Sequence, residues 1–415
     1  MNNIRYDLSE RLIHFFREVD LRSESPVSFP ENWGLDHLVE DDLFTPLFLL
    51  RLAIRHSKLF ATWAIRNSKR TIYGENPAIC FTEMPLAAFI QTSKQRSSLG
   101  QAISSYGISL KKTDLFSIGA RPVIYGLSCD SIRTSTTPKS ERIIDENLLP
   151  LHEQYRYVTY NPVGNRKIDW THEREWRWAY LDSIDAFEKE IEEFGIVGEI
   201  DNIPGLMINN KLIQELGVIV NTKEEAELVL CDILAEFDRQ KWTPYSFVFY
   251  TQQISNISSI LTPQQEQAEI QKSIIDLSPY IIPQKKRDDA IYSKFKEIIA
   301  IVESEFPNIE SGELGGCWLW VYDSLNPFTR ALINKERIEV NNQNKYLCFP
   351  FEFNDSRSLA QREEMTKVLA ERLKTEFDID CGYFSVLISD DYNEVPFYCS
   401  QNYEKYEDRL INKAF

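Results

Sequence analysis

Apolar and polar positions alternate along the first 255 residues in a way that predicts short strands interspersed with helices. Apolar residues at helical spacing predict one long helix over residues 46–65 and an acidic helix over residues 182–195. Short apolar runs predict strands in "RLIHFF", "PAICFTEM" and "YGISLKK", the second turning into a helix at Met84-Pro85. The polar stretch from Ser128 to Glu146 follows neither period and is predicted to be a loop.

The clearest local unit lies over residues 216–254. An apolar strand, "LGVIVNT", precedes an amphipathic helix, and "YSFVFYTQQI" follows as a second strand. Thr222 and Glu225 have the spacing of a capping box at the start of that helix. The order strand, helix, strand favours two strands of one sheet joined by a right-handed crossover.

A second domain is predicted after a linker rich in Gln, Ser and Pro. Residues 256–289 form that linker, and residues 290–415 contain helical patterns that alternate with apolar strands such as "GGCWLWVYD" and "GYFSVLIS". The overall prediction is an α+β protein. A mixed-sheet N-terminal domain over residues 1–255 is followed by a smaller C-terminal α/β domain, with α+β as the alternative for this second domain.

Composition limits the function classes. The formal net charge of −17 argues against general binding of nucleic acid or anionic membranes, although a local basic patch is compatible with it. Seven cysteines without a CxxC pair support neither a zinc knuckle nor a disulfide framework. The apolar stretch "FTPLFLLRLAI" is short and contains Arg51, and the first residues have no apolar signal core. We therefore expect a cytoplasmic protein with no membrane partner.

The segment "DWTHEREWRW", residues 169–178, combines charged and aromatic residues. As a strand it places Glu173, Glu175 and Arg177 on one face and aromatic side chains on the other. As a helix it gives only a surface ion pair between Glu173 and Arg177. The strand interpretation predicts a charged face that lines a cleft or forms a salt-bridged wall.

Two other predicted strands also carry polar residues, His14 in "LIHFF" and Thr82 with Glu83 in "ICFTEMP". Buried ionisable groups need partners, so such strands line a cleft or pair these groups internally. The alternatives are a structural histidine at position 14 and a helix N-cap at Glu83. For Glu173 and Glu175 the alternative is ion pairing with Arg174 and Arg177.

One chemistry needs no metal and no phosphate loop, and the sequence has neither a GxGxxG nor a Walker motif. Cleavage of the nicotinamide–ribose bond of NAD passes through an oxocarbenium-like transition state that a single carboxylate stabilises. A histidine can bind a ribose hydroxyl and an aromatic ring can stack on nicotinamide. Tyr106 and Tyr125 are the aromatic candidates, with core packing as the alternative for each.

The order "LIHF", "ICFTEMPL", "EREWRW" resembles the ADP-ribosyltransferase superfamily. The segment "YGISLKKTDLFSIGARPVIYG", with "ICFTEMPL", is similar to the AbiGi-like abortive-infection proteins of bacterial phage defence, over about the first 255 residues. These resemblances imply NAD as substrate, Glu175 as the catalytic carboxylate, Glu173 as the residue that orients the acceptor and His14 as a ribose ligand. The middle motif is Thr82 or Tyr125, and the usual Ser-Thr-Ser triplet is absent.

The resulting hypothesis is an antiviral effector that transfers ADP-ribose from NAD to a nucleic-acid or protein acceptor, in a defence system with a toxin–antitoxin-like partner. The C-terminal domain would sense a trigger or hold that partner. For a nucleic-acid acceptor, a stripe on a helix from Thr45 to Arg70 is predicted to supply cations, with simple solvation of a surface helix as the alternative: Arg51, Arg55, Lys58, Arg66, Lys69 and Arg70. The competing hypothesis is a non-catalytic antitoxin-like or sensor binding protein, in which the carboxylates and arginines neutralise one another. No nuclease motif is recognisable.

Overall fold

In a computed structural model of the chain, twelve stretches are described: residues 9–20, 43–66, 69–101, 103–128, 134–136, 141–163, 167–194, 200–252, 254, 268, 271–308 and 312–399. The chain divides into two compact units. The first comprises Met1–Val229 with Pro244–Asp276, and the second comprises Leu230–Thr243 with Leu277–Phe415.

The strands of the first unit are short. In chain order they are β1 Arg11–Phe15, β2 Val19–Asp20, β3 Leu43–Phe44, β4 Lys58–Phe60, β5 Ile65–Arg66, β6 Lys69–Arg70, β7 Ala78–Thr82, β8 Gly107–Lys111, β9 Arg121–Pro122, β10 Ile124–Tyr125, β11 Thr134–Thr136, β12 Arg142–Ile144, β13 Tyr157–Val158, β14 Glu175–Ala179, β15 Gly205–Met207, β16 Leu216–Val220, β17 Tyr245–Tyr250 and β18 Ile274–Asp276. The helices that begin in this unit are α1 Pro46–Arg55, α2 Leu86–Ser98, α3 Lys112–Ser117, α4 Asp185–Phe194 and α5 Lys223–Gln240, with 3-10 turns at Leu151–Arg156, Thr171–Glu173 and Ile200–Asn202.

An eight-stranded mixed sheet organises the first unit, with the strand order β18-β17-β16-β8-β1-β7-β14-β9. The pair β16 and β17 is parallel, and the other neighbours that carry the site, β8 with β1, β1 with β7 and β7 with β14, are antiparallel. The predicted mixed-sheet α+β class is confirmed at this level. The strands that carry His14, Thr82 and Glu175, namely β1, β7 and β14, are consecutive in the sheet.

The predicted strand–helix–strand unit is confirmed. The strands β16 and β17 pair in parallel, and α5 connects them. The capping box is formed as well, because Glu225 N donates to Thr222 Oγ1 at 3.2 Å and Thr222 N donates to Glu225 Oε2 at 2.9 Å. Parallel strands require such a crossover, so local sequence signals alone sufficed here.

The long helix predicted over residues 46–65 is wrong in its second half. It begins as expected, with Thr45 as N-cap and Pro46 in the first turn, but it ends at Arg55. Ser57 adopts a left-handed conformation, with φ of 51°, and the chain continues as β4, which pairs with the distant β15. A Cβ at Gly205 of β15 would lie 2.4 Å from the Leu59 carbonyl oxygen, so glycine permits the close pairing.

Two segments predicted as irregular contain strands. The stretch Ser128–Glu146 includes the antiparallel pair β11 and β12. Within the predicted linker, residues 274–276 form β18 at the edge of the large sheet, while 255–267 and 269–270 lie outside the described residues. Long-range pairing supplies order in both segments, and the local sequence carries no signal for it.

The second unit is built on a five-stranded sheet in the order β20-β21-β19-β22-β23. Its elements are α6 Ser278–Ile281, α7 Lys285–Glu305, β19 Gly315–Val321, α8 Pro327–Asn334, β20 Ile338–Val340, β21 Tyr346–Cys348, α9 Leu359–Phe377, β22 Cys381–Leu387 and β23 Tyr398–Cys399. The sequence located the larger helices and the strands β19 to β22. All strand pairs in the described part of this unit are antiparallel, so the predicted α/β arrangement is wrong and the alternative, α+β, is the one observed.

The core of the second unit joins the helices to one face of the sheet. Phe295 of α7, Phe328 of α8 and Leu369 of α9 pack with Leu319 of β19, all of them almost fully buried. The opposite face carries an aromatic cluster that includes Trp318 and Trp320. Alternation along β19 therefore separates the two faces, as strand geometry requires. No helix in the described part of the chain is both long and apolar enough to cross a membrane.

Candidate functional site

A cleft of about 1000 Å³ lies in the first unit beside β1, β7 and β14. Four of the five residues singled out in the sequence line it: His14, Thr82, Glu173 and Glu175. They come from positions that are far apart in the chain, and the antiparallel pairing of β7 with β14 places Glu175 opposite Thr82. The cleft is therefore the candidate site.

Glu175 begins β14, and its carboxylate is held by Arg177 from the same strand. Residues two apart on a strand share a face, and Arg177 Nε donates to Glu175 Oε1 at 2.7 Å. The two side chains are only 6% and 11% exposed, with the arginine the more buried. The predicted charged face is present, and part of it forms an internal ion pair.

Arg177 is anchored more firmly than an ordinary surface arginine. Its Nη1 donates to the Tyr155 carbonyl oxygen at 2.6 Å and to the Tyr157 carbonyl oxygen at 3.3 Å. Burial alone lowers the pKa of this guanidinium, but the adjacent Glu175 carboxylate raises it, and the net shift is upward. Arg177 therefore remains a fixed cation that orients Glu175.

The Cys80 thiol lies next to this ion pair, because Cys80 is directly opposite Arg177 across β7 and β14. Burial, and after it the negative charge of Glu175, raise the pKa of the thiol. Cys80 is therefore a neutral neighbour of the carboxylate and not a thiolate nucleophile.

Glu173 lies outside the strand in which it was predicted. It ends a 3-10 turn, and the left-handed Arg174, with φ of 46°, separates that turn from β14. Its carboxylate accepts a hydrogen bond from Arg96 Nη1 at 2.7 Å. Glu173 is thus ion-paired with an arginine from α2, a partner that the spacing along the segment could not indicate.

The Thr82 hydroxyl is used within the protein. It donates to the Glu173 carbonyl oxygen at 2.6 Å and accepts a hydrogen bond from Met84 N at 3.2 Å. The residue is almost fully buried. Thr82 therefore fixes the turn that carries Glu173, which makes it a positioning residue at the edge of the cleft.

Tyr125 is absent from the residues that line the cleft, yet it contacts the site from behind. Its hydroxyl oxygen accepts a hydrogen bond from the Glu175 backbone N–H at 3.0 Å. Burial is the main cause that raises the pKa of this phenol to about 12. Tyr125 supports the start of β14 and does not stack in the cleft. Tyr106 lies elsewhere, with its hydroxyl donating to Glu225.

His14 lines the cleft as a neutral imidazole. Its Nδ1 lies 2.9 Å from the Cys80 carbonyl oxygen, which can only accept, so Nδ1 carries the proton. Burial lowers the pKa of the ring, although the hydrogen bond to Cys80 acts in the opposite direction. In the neutral ring the other nitrogen, Nε2, can accept a hydrogen bond from a hydroxyl group of a ligand.

Glu83 is neither a helix cap nor a cleft residue. Its carboxylate accepts hydrogen bonds from Lys112 Nζ at 2.7 Å and from Trp176 Nε1 at 2.8 Å. The N-cap position of α2 is Pro85, which offers no side-chain hydrogen bond. Trp178 Nε1 donates in turn to the Ile118 carbonyl oxygen at 2.9 Å. The tryptophans thus anchor β14 on the side opposite its charged face.

Cationic side chains also line the cleft, and among Arg142, Lys69 and Lys167 the sequence predicted only Lys69 as a site cation, within the helical stripe. Arg142 of β12 lines it, together with Lys69 of β6 and Lys167. Arg142 lay in the stretch predicted as a loop, and Lys167 is separated from the strand segment that drew attention. The sequence near Arg142 and Lys167 carries no signal for a site, because the tertiary fold brings these residues to the cleft.

The predicted cationic stripe for nucleic acid is buried at three of its six positions. Arg51, Arg55 and Lys58 are each 5% exposed, because the helix stops at Arg55 and its cations turn into the protein. Arg70 packs over the Trp63 ring at 3.8 Å, and Lys69 belongs to the cleft. The Arg66 side chain lies outside the described residues. Arg51, Arg55 and Lys58 therefore do not form an exposed cationic face on this helix.

Comparison with protein families gives a match in the C-terminal part of the chain. The family described as a protein of unknown function (DUF4427) matches residues 286–410, which lie within the second unit. No curated protein and no solved structure matches the chain significantly. The match covers less than a third of the chain and does not reach the cleft, so the resemblance of the first 255 residues to ADP-ribosyltransferases and AbiGi-like proteins stays a prediction.

Proposed function

We propose that the first unit binds NAD in this cleft and transfers ADP-ribose to a macromolecular acceptor. The observation that carries the proposal is the assembly of His14, Glu173 and Glu175 in one cleft, from three separate segments. Two carboxylates can carry glycosidic cleavage and transfer, and a neutral imidazole can accept a hydrogen bond from a ribose hydroxyl.

The chemical step assigns each group a task. The bond between the nicotinamide nitrogen and ribose C1′ breaks, and its electron pair leaves with neutral nicotinamide. The carboxylate of Glu175 stabilises the resulting oxocarbenium ion, whose positive charge develops beside it. An acceptor oxygen or nitrogen then bonds to C1′, and its proton passes to Glu173 or to water.

The remaining side chains support binding and orientation. His14 Nε2 is suited to accept a hydrogen bond from a ribose hydroxyl, because its Nδ1 already donates to the Cys80 carbonyl. Arg177 holds Glu175 in one orientation, and Thr82 holds the turn that bears Glu173. Preorganised groups of this kind lower the cost of reaching the transition state.

A role in antiviral defence belongs to the same proposal, and it rests on the resemblance to AbiGi-like proteins alone. In this role the second unit would respond to a trigger or bind a defence-system partner. The residues that match the family of unknown function are the place to look for that partner.

One observation favours a second candidate, a non-catalytic sensor or antitoxin-like binding protein. Both cleft carboxylates are ion-paired, Glu175 with Arg177 and Glu173 with Arg96, each at 2.7 Å. Paired carboxylates can be structural and need no substrate. This candidate predicts ligand binding without bond cleavage.

Label transfer distinguishes the two. Purified protein would be incubated with adenylate-labelled NAD and extract from infected cells, and label in the macromolecular fraction would be followed. Wild type should transfer label and Glu175→Gln should not. Glu153→Gln is the control, because Glu153 pairs with Arg156 outside the cleft lining. Absence of both transfer and nicotinamide release in wild type would favour the binding protein.

A further inference from the structure

We infer that the side of the cleft formed by Arg142, Lys69 and Lys167 is a subsite for the pyrophosphate of a nucleotide. This inference deepens the proposed function, on which it rests for the identity of the nucleotide. Its first support is the unequal neutralisation of charge within the cleft.

The cations and carboxylates of the cleft are distributed unevenly. Glu173 and Glu175 each have an arginine of their own, Arg96 and Arg177. Among the described residues, by contrast, no carboxylate forms an ion pair with Arg142, Lys69 or Lys167. The residues that line the cleft therefore include more cations than carboxylates, although the whole chain has a net charge of −17. A cleft lined by one sign of charge concentrates ligands of the opposite sign.

Arg142 is held rigidly for such a contact. Its guanidinium packs over the Tyr73 ring at 4.1 Å, Nη1 donates to the Arg70 carbonyl oxygen at 2.9 Å, and Nη2 donates to the Tyr73 hydroxyl. Tyr73 is itself 4% exposed, so the support is firm. These two bonds use two of the five N–H donors of a guanidinium, and the remaining donors can bind a phosphate oxygen.

The segment that carries Lys167 is joined to the same support. Thr159 Oγ1 lies 3.3 Å from the Tyr73 hydroxyl, and Asn161 pairs with Ile168 beside Lys167. Lys167 and Lys69 are both exposed and long enough to follow a ligand. One rigid planar cation and two mobile ones match the demands of a diphosphate, whose charge is spread over several oxygens.

The inference also fixes the orientation of the ligand. The pyrophosphate would contact Arg142, and the nicotinamide ribose would point toward His14 and Glu175. Placed the other way, the anionic phosphates would lie against carboxylates that already have arginine partners, and Arg142, Lys69 and Lys167 would face no anion. ADP and ADP-ribose should therefore bind and compete with NAD, whereas nicotinamide alone should not depend on Arg142.

Titration calorimetry with ADP and with inorganic pyrophosphate, using the full-length protein, tests the subsite. Arg142→Lys should weaken ADP binding roughly tenfold, because lysine cannot replace the planar fork. Arg121→Lys is the matched control. Arg121 also packs over an aromatic ring at 4.1 Å and donates to backbone carbonyls, but it lies outside the cleft lining.

A double variant, Lys69→Gln with Lys167→Gln, guards against a folding defect at Arg142, because both lysines are exposed. It should also weaken ADP binding, and exposed Lys94→Gln should not. Unchanged ADP affinity in both cleft variants would overturn the subsite. A protein that binds an oligonucleotide but binds neither ADP nor pyrophosphate would also overturn it. ADP binding that depends on Arg142, without nicotinamide release from NAD, would keep the subsite and reject the transferase.

Discussion

Two buried arginine–carboxylate pairs, one in each unit, show how the same chemistry can serve different ends. In the second unit, Arg330 binds Asp238 through two hydrogen bonds of 2.7 Å, and both side chains are at most 2% exposed. In the first unit, Arg177 binds Glu175 through one, and Glu175 is 11% exposed beside an open cleft. The Arg330–Asp238 pair is enclosed by protein, whereas the Arg177–Glu175 pair keeps a face that a ligand can reach.

The surroundings of the two pairs sharpen this difference. Asp238 also accepts a hydrogen bond from the Tyr346 hydroxyl at 3.0 Å, and Arg330 Nε donates to the Tyr280 carbonyl oxygen, so the lone pairs and donors are largely used. Glu175 lies in a cleft that is also lined by His14 and by Arg142, which forms no ion pair with a carboxylate in the described part of the chain. A buried ion pair is therefore weak support for function, and an adjoining cavity is what distinguishes the two.

The largest effect on stability should follow removal of the closed pair. Asp238→Asn leaves the Arg330 charge without compensation, and the free energy of unfolding should fall by about 3–5 kcal/mol. Denaturant titration measures this change. Asp289→Asn, at an exposed ion pair with Lys335, should leave the midpoint nearly unchanged. Equal effects of the two substitutions would contradict the assignment of Asp238 as structural.

Removal of the arginine from the cleft pair should cost less. Arg177→Met leaves Glu175 without its partner, but the carboxylate faces the cleft and can be reached by water, so we expect a loss of about 1–3 kcal/mol. The same denaturant titration applies. A loss as large as that of Asp238→Asn would show that the cleft pair is as closed as the other.

Thr82→Val tests the hydrogen bond that positions Glu173. The substitution removes the donor to the Glu173 carbonyl, and the free energy of unfolding should fall by about 0.5–1.5 kcal/mol. Label transfer should fall more than nicotinamide release, because Glu173 is assigned to the acceptor. Thr136→Val, at an exposed position of β11, is the control and should change neither.

The smallest effect concerns pH. Burial lowers the pKa of His14 from its ordinary value of 6.5. Below pH 6.5 the unfolded chain therefore binds a proton at His14 that the folded protein does not bind. Stability should therefore decrease as the pH falls below about 6.5, until the lower folded pKa is reached. His14→Gln should flatten this slope in urea titrations at several pH values. The exposed His152→Gln should retain the wild-type slope, and a slope that His14→Gln leaves unchanged would refute the assignment.

Much of the fold could be predicted because its signals are local. The parallel unit of β16, α5 and β17 has a capping box and two apolar strands, and the second unit alternates long helices with strands of clear period. The failures are all long-range. The pairing of β4 with β15 ends the helix at Arg55, and β12 forms in a polar stretch. The sequence near those residues does not indicate which strand each of them pairs with.

The candidate site shows the same division. Polar residues within apolar strands identified His14, Thr82 and Glu175, because burying such groups requires a reason that sequence can display. Arg142 and Lys167 lie in segments without an apolar pattern, so only the structure brings them to the cleft. Tyr125 was identified for stacking, but it supports the Glu175 backbone instead.

The most direct test of the account is the rate of nicotinamide release from NAD by wild type and by Glu175→Gln, measured beside Glu153→Gln. The account predicts release by wild type and by the Glu153 control, and a fall of about 10²–10³ in Glu175→Gln, since that carboxylate opposes the charge of the transition state. Circular dichroism should show that the variant keeps its fold. Equal rates in wild type and Glu175→Gln, or no release by wild type while ADP still binds, would contradict the claim that this cleft cleaves NAD.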